Sequence, residues 1–266
     1  MEHKQKMWSE EEIQFLKENH EEMAFRDIAK HLNRTYSSIE NKSHQLGLAR
    51  KEKYTFNRSF FKRPLSEDSA YWFGFICADG YISGEMDIGI GLKKSDASHL
   101  KKFNSALQGN IPVTFRKRGE RKIGTKILPP TEFAEIRIYS KEILQDLLNL
   151  GVIYRKSLTL EFPKFENEQL LWHFIRGFFD GDGSTYYDKR SKQLRAKFTC
   201  GSESFRKSLS EILVAYGIKN YTSGIDVGIT GKESHSIFYN LLYDNAHIYL
   251  DRKFALYKQY KNKLLY

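Results

Sequence analysis

Apolar positions along the chain follow two periods, and the switches between them mark out elements. In the first 48 residues they recur at helical spacing, as Ile13, Phe15 and Leu16, then Ile28, Ala29 and Leu32. Ser9 with Glu12 forms a capping box before the first run. Asn33-Arg34-Thr35 makes a turn, with Thr35 capping a third helix over Tyr36–Leu46. Residues 49–66 lose the pattern and become basic and aromatic, ending near Pro64. From Ser66 or Ser69 a helix runs through Trp72 and Phe75 to Asp79. MDIGIGL then alternates Met86, Ile88, Ile90 and Leu92 on one face of a strand. An amphipathic helix over Asp96–Leu107 follows. A strand comes next, with Val113 and Phe115 inward and Thr114, Arg116 and Arg118 outward. Gly119–Pro130 reads as a mobile basic loop. FAEIRIY returns with Ile136 and Ile138 inward and Arg137 and Tyr139 outward, before a helix over Lys141–Leu150.

The same order then starts again. A second apolar helix ends at Asp182, and a hairpin places Leu194, Ala196 and Phe198 opposite Arg195, Lys197 and Thr199. A helix over Ser204–Tyr216, two short strands (Asn220–Ser223 and Ile225–Thr230) and a helix through Ile237, Leu241 and Leu242 complete it. WFGFICADG (Trp72–Gly80) and IRGFFDGDG (Ile175–Gly183) match at Gly74 and Gly177, Phe75 and Phe178, Asp79 and Asp182, Gly80 and Gly183. The copies are 103 positions apart, about one small domain. Gly74 with Ala78, and Gly177 with Gly181, leave each helix one face without bulk, where two backbones can approach closely. Packed together, the helices bring Asp79 and Asp182 to one end, over one shared cavity. Helix dipoles disfavour carboxylates there by roughly 0.3–1 kcal/mol each, so a divalent cation is expected between them. For either copy alone, Asp-Gly as a helix cap and tight turn explains the motif as well.

Charge refines this picture. The chain has 266 residues and a net charge of +10, yet residues 1–48 hold 7 Lys and Arg against 9 Asp and Glu. The surface suited to a polyanion therefore lies in the C-terminal part. Outward Arg116, Arg118, Arg137, Tyr139, Arg195 and Lys197 would give each sheet a basic face, although a solvated sheet face explains any one of them. Arg50, Lys51, Lys53, Arg58, Lys62 and Arg63 could track phosphates or serve as a solvated tether, with Phe56, Phe60 and Phe61 docking on the next domain. Cys77 and Cys200, in apolar contexts, read as reduced core thiols. No signal peptide or membrane-length apolar run is present, which points to an intracellular protein. The histidines, His99, His173 and His235 among them, show no metal-ligand spacing.

The doubled nonapeptide resembles the paired motifs of the LAGLIDADG homing endonucleases, over about Phe60 to Tyr266. Cys77 departs from the family's formula, where Asp180 keeps it. The resemblance implies an α+β fold of two pseudo-symmetric αββαββα repeats whose motif helices form the interface. It implies that Asp79 and Asp182 bind Mg²⁺ at the cleaved phosphates, with Mn²⁺ able to substitute and Ca²⁺ binding without cleavage. Lys156 and Lys253 lie 77 and 71 residues after those acids, each in an aromatic-Arg-Lys context. The family's active-site lysine role carries to them, against the ordinary reading of a solvated surface charge. Lys94 is a weaker candidate.

Residues 1–48 resemble the helix-turn-helix of Myb/SANT-like domains, with Ser37, Ser38, Asn41, Lys42 and Gln45 facing a major groove. A helical protein-interaction module is the alternative there, favoured by the net negative charge. Four segments follow: 1–48, a basic linker 49–66, and repeats 67–163 and 164–266. The resemblance implies a monomeric endonuclease that cuts double-stranded DNA across the minor groove, leaving short 3′ overhangs at a long asymmetric site. It would act in the cytoplasm or nucleoid of a bacterial or phage-infected cell. A starting Met and no terminal His-Asn pair point to an intron or free-standing gene as the source. A non-cleaving DNA-binding regulator and an RNA maturase are the rival readings.

Overall fold

A computed structural model describes residues 7–48, 54–84, 86–165, 167–190 and 192–264. Arg50, Lys51 and Lys53 of the basic stretch lie outside them. The chain divides into two compact units between Tyr54 and Thr55.

The first unit holds α1 (Glu10–Asn19), α2 (Phe25–His31) and α3 (Tyr36–Gln45). The Ser9–Glu12 capping box starts α1, and the Thr35 hydroxyl accepts the Ser38 amide to start α3. Leu16, Phe25, Ile28, Ala29 and Ile39 form the core. Arg34 closes it from outside, with a forked bond to Glu12 (3.0 and 2.7 Å) and its guanidinium 4.1 Å from the Trp8 ring.

The second unit is α+β and contains one arrangement twice. The first copy begins with α4 (Glu67–Asp79), β1 (Gly80–Ser83), β2 (Asp87–Lys93) and α5 (Ala97–Ala106). It continues with β3 (Thr114–Arg118), β4 (Arg121–Ile123), β5 (Lys126–Leu128), β6 (Thr131–Tyr139) and α6 (Lys141–Asn149). A 3₁₀ turn, Lys156–Leu158, follows. The second copy is α7 (Glu168–Asp182), β7 (Gly183–Asp188), β8 (Gln193–Thr199), α8 (Glu203–Ala215), β9 (Asn220–Ser223), β10 (Asp226–Ile229) and α9 (Lys232–Tyr243). Helix α10 (Asp251–Leu264) ends the described chain. Both four-stranded sheets are antiparallel, in the orders β1-β2-β6-β3 and β7-β8-β10-β9. With the β4–β5 hairpin set aside, each copy is αββαββα with the same strand order. The inner faces bury Ile88, Ile90, Ala134, Ile136 and Ile138 in one copy, and Leu194, Ala196, Phe198, Val227 and Ile229 in the other.

The structure departs from the sequence reading in three places. Phe115 is 57 % exposed, not inward, because β3 is an edge strand while α5 packs on β2 and β6. The 119–130 segment is a hairpin, β4–β5, turning at Gly124 in the left-handed region (φ 60°). The docking of the aromatic end of the basic stretch on the first repeat agrees with that reading: Phe60 and Phe61 are buried, and Thr55 and Asn110 exchange backbone and side-chain bonds. The basic element around Lys253 is the first turn of the 14-residue helix α10. Its buried stripe is Lys253, Tyr257 and Tyr260, so a charged residue opens a helical face that apolar periodicity overlooks.

Candidate active site

The site is built on α4 and α7, which meet backbone to backbone. A Cβ on Gly74 would overlap the Phe174 carbonyl oxygen and lie 2.9 Å from the Phe178 nitrogen. On Gly177 it would overlap the Tyr71 oxygen and lie 2.9 Å from the Phe75 nitrogen. Gly181 sits against the methyl group of Ala78. Aromatic rings flank the seam, with Phe73 and Phe174 centroids 4.9 Å apart. Both helices run directly into strands. Gly80 (φ −77°, ψ 155°) and Gly183 (φ −82°, ψ 156°) are extended, so neither is a left-handed helix cap. At Gly80 a Cβ would lie 2.7 Å from the Ile76 carbonyl oxygen, so close approach demands the glycine.

Asp79 and Asp182 end the two helices. Burial, and then the charge of Asp182, raise the Asp79 carboxyl to about 6, against the pull of Lys253 and Lys156. Burial also raises Asp182, opposed by Lys156 and then Lys253. The charge of Asp182 acts on Asp79, so the two acids lie in one electrostatic field. Asp182 lines a depression of about 150 Å³ with Lys156, Thr199, Cys77 and Cys200, both cysteines being buried free thiols. Asp79 lines another, of about 370 Å³, with Tyr81, Lys93, Arg118 and Glu135. A Cβ on Gly181 would lie 3.5 Å from an Asp79 carboxylate oxygen, which places that carboxylate against the last turn of α7.

The lysines sit at the ends of the helices. Lys156 follows Arg155, which takes a left-handed conformation (φ 54°), and its ammonium donates to the carbonyls of Gly80 (2.6 Å) and Ala78 (3.3 Å). Lys253, 1 % exposed, donates to Phe179, Asp180 (2.9 Å) and Gly183 (2.5 Å). Each ammonium satisfies orphan carbonyls at its own repeat's helix terminus and offsets the negative end of the dipole. Lys253 thereby uses all three of its donors, and Lys156 uses two. Burial lowers both, Lys253 to about 8. Lys94 instead pairs with Glu132 at 2.7 Å on the surface.

A buried polar cluster escaped the sequence reading. Asp180 accepts from Tyr71 Oη (2.8 Å), Tyr243 Oη (2.7 Å) and the Leu250 amide (2.8 Å). Tyr71 Oη also lies 2.9 Å from His99 Nε2. Asp180 thus ties α7 to α4 and to the residue preceding α10, which carries Lys253. At the matching positions stand Cys77 in place of Asp180 and Phe174 in place of Tyr71. That paired exchange of polar for apolar was the available signal.

Residues 170–249 match the sequence profile of the LAGLIDADG-like domain. The second repeat thus carries a LAGLIDADG-like domain. The match spans Gly177 and Asp182 of the second repeat. An uncharacterized Listeria innocua protein, Lin2408, is 38 % identical over 56 residues, covering 21 % of this chain and 74 % of the relative. Among solved structures, the homing endonuclease I-WcaI bound to its DNA recognition sequence is similar at 14 % identity and a TM-score of 0.47, over 76 % of this chain and 92 % of the other. Full-length DUF199/WhiA from Thermatoga maritima is similar at 16 % identity and a TM-score of 0.44, over 78 % and 64 %.

Asp79 and Asp182 fit a hard divalent cation. Among the described residues no three His, Cys, Asp or Glu side chains cluster into a cage. Mg²⁺ needs none, since it takes one or two carboxylates and completes its shell with water and substrate phosphates. Two half-buried carboxylates, one raised by the charge of the other, suit such an ion.

The sheets are not the bare basic faces that the alternation suggested, because acids stand among the cations. Arg116 pairs with Glu135 (3.0 Å), Arg137 with Asp87, Arg195 with Asp188 (3.5 Å) and Lys197 with Asp226 (2.5 Å). Arg118 lies 5.2 Å above the Phe133 ring, and Tyr139 is exposed. In the first unit, Ser38, Asn41, Lys42 and Gln45 line a depression of about 870 Å³ with Trp8 and Arg34.

Proposed function

We propose that this chain is a metal-dependent endonuclease that cuts both strands of a duplex at a specific DNA site. The observation that carries the reading is the pair of half-buried carboxylates, Asp79 and Asp182, at the touching ends of two matched helices, with a lysine at each end. Asp79 and Asp182 would hold Mg²⁺, with Mn²⁺ an acceptable replacement and Ca²⁺ a non-catalytic one. When bound, such an ion activates water and stabilises the leaving oxygen of a phosphodiester. Lys156 keeps one ammonium donor for a water or phosphate oxygen in the Asp182 depression. Lys253, saturated by carbonyls, acts as a fixed positive charge beside Asp79.

The two sheets would grip the duplex as a monomer, and cutting would run across the minor groove to leave short 3′ overhangs. Helix α3, through Ser38, Asn41, Lys42 and Gln45, would lengthen the site by a major-groove contact. No helix among the described residues is long and apolar enough to cross a membrane. A library of random duplexes, incubated with Mg²⁺ and separately with Ca²⁺, tests the reading. Cleavage of a recurring sequence in Mg²⁺, with retention but no cleavage in Ca²⁺, is expected. Retention without cutting in Mg²⁺ overturns the nuclease and leaves a DNA-binding regulator.

A further inference from the structure

The run of chain that leads into Lys253 is tied down residue by residue. Arg176 of α7 donates through Nε to the Ile248 carbonyl at 2.9 Å, and the Leu250 amide donates to Asp180 at 2.8 Å. Further ties come from the first repeat. Lys102 of α5 donates through Nζ to the Tyr249 carbonyl at 3.0 Å and to Asp251 Oδ1 at 2.6 Å. Arg252 donates through Nε to Asp96, just before α5, at 3.0 Å. Lys253 is the next residue, and its ammonium closes on three carbonyls at the end of α7. The approach to Lys156 is built differently. Tyr154 Oη donates to the Gly84 carbonyl at 3.0 Å, and Lys156 is half-buried where Lys253 is buried.

Arg176 and Asp180 are buried and hold the fold around them, whereas Lys102 keeps 34 % of its side chain exposed and Asp251 58 %. An ion pair that open to solvent contributes little to stability. Its geometry does something else: one ammonium grips the start of α10 twice, by the backbone of Tyr249 and the side chain of Asp251. We infer that Lys102 is a positioning residue for Lys253, so that the first repeat sets where the second repeat's lysine stands beside Asp79. The inference rests on the nuclease reading for the reaction it modulates. Without the Lys102 donors, the first turn of α10 loses both of those bonds to α5, and Lys253 shifts with that turn. A displacement of about 1 Å at a catalytic site can slow a reaction by about a hundredfold. Lys156 has no bond to α10, so the cut served by Asp182 should not follow.

The test follows each strand separately. The full chain, as wild type, Lys102→Met and Lys102→Arg, is given a saturating selected duplex in Mg²⁺. Lys102→Met keeps the aliphatic stem and removes both donors. It should slow the cut of one strand by about tenfold and leave the other at the wild-type rate. Lys102→Arg, which can donate to both oxygens, should restore the slowed strand. In a Lys253→Met background, Lys102→Met should add no further loss, because nothing is left for it to position. Should Lys253→Met not fold, the strand ratio and the arginine rescue decide alone. Unchanged rates, equal slowing of both strands or an additive loss overturn the inference and leave the nuclease reading standing. Weaker retention of the duplex in Ca²⁺ with unchanged strand rates makes Lys102 a phosphate contact instead, and overturns it too. No cleavage by wild type overturns both.

Discussion

At the scale of single residues, Asp79 holds function against stability. Its carboxyl has a pKa of about 6 in the fold against 3.8 as the ordinary value, through burial first and the charge of Asp182 second. Between roughly pH 4 and 6 the folded chain binds a proton that the unfolded chain releases, so stability falls as pH rises through that window. Above it the deficit is constant. Two units correspond to at most about 3 kcal/mol. Asp79→Asn should therefore stabilise the metal-free protein by about 1–3 kcal/mol at pH 7 and by almost nothing at pH 4. Urea midpoints at the two pH values measure this, and a variant no more stable than wild type at pH 7 contradicts it. Asp79 and Asp182 stood out in the sequence because the motif repeats. The Asp180 cluster did not, since its partners Tyr71, Tyr243 and Leu250 lie up to 109 residues away and only the fold brings them together.

At the scale of elements, the two motif helices depend on missing side chains. Gly177 faces the Tyr71 carbonyl and Gly74 the Phe174 carbonyl, backbone against backbone, where no rotamer change relieves a clash. Gly177→Ala should cost several kcal/mol, above the 1–3 kcal/mol usual for overpacking, because the helices must separate. A loss of less than about 1 kcal/mol in urea unfolding would mean that α4 and α7 do not pack this way. This seam was legible, since small residues four apart announce a bulk-free helix face. The strands were legible too, where alternation is strict, as in β6 and β8. Edge strand β3 was misread because alternation describes a strand half covered by other elements, and α5 covers β2 and β6 instead. Helix α10 was missed for the opposite reason. It buries the aliphatic stem and ammonium of Lys253 as the first step of its inward stripe, and a lysine reads as solvent-facing.

At the scale of the molecule, the repeat is exact in topology and unequal in chemistry. Both copies have the same strand order, yet one helix end carries a lysine with three carbonyl partners and the other a lysine with two. The electrostatic support crosses between copies. Of the two lysines, Lys253 acts more strongly on Asp79 and Lys156 on Asp182, in each case from the opposite repeat. The sequence could show that the lysines repeat; it could not show this crossing, which exists only once the helices touch.

The most direct test of that account is strand-resolved cleavage of a selected duplex, with Mg²⁺, by wild type, Asp79→Asn and Asp182→Asn. Wild type should make one cut in each strand. Each variant should lose double-strand cutting by a factor on the order of 10² or more, while its affinity for the duplex in Ca²⁺ stays close to wild type. Double-strand cutting at the wild-type rate by either variant would contradict the claim that the two carboxylates form the catalytic centre.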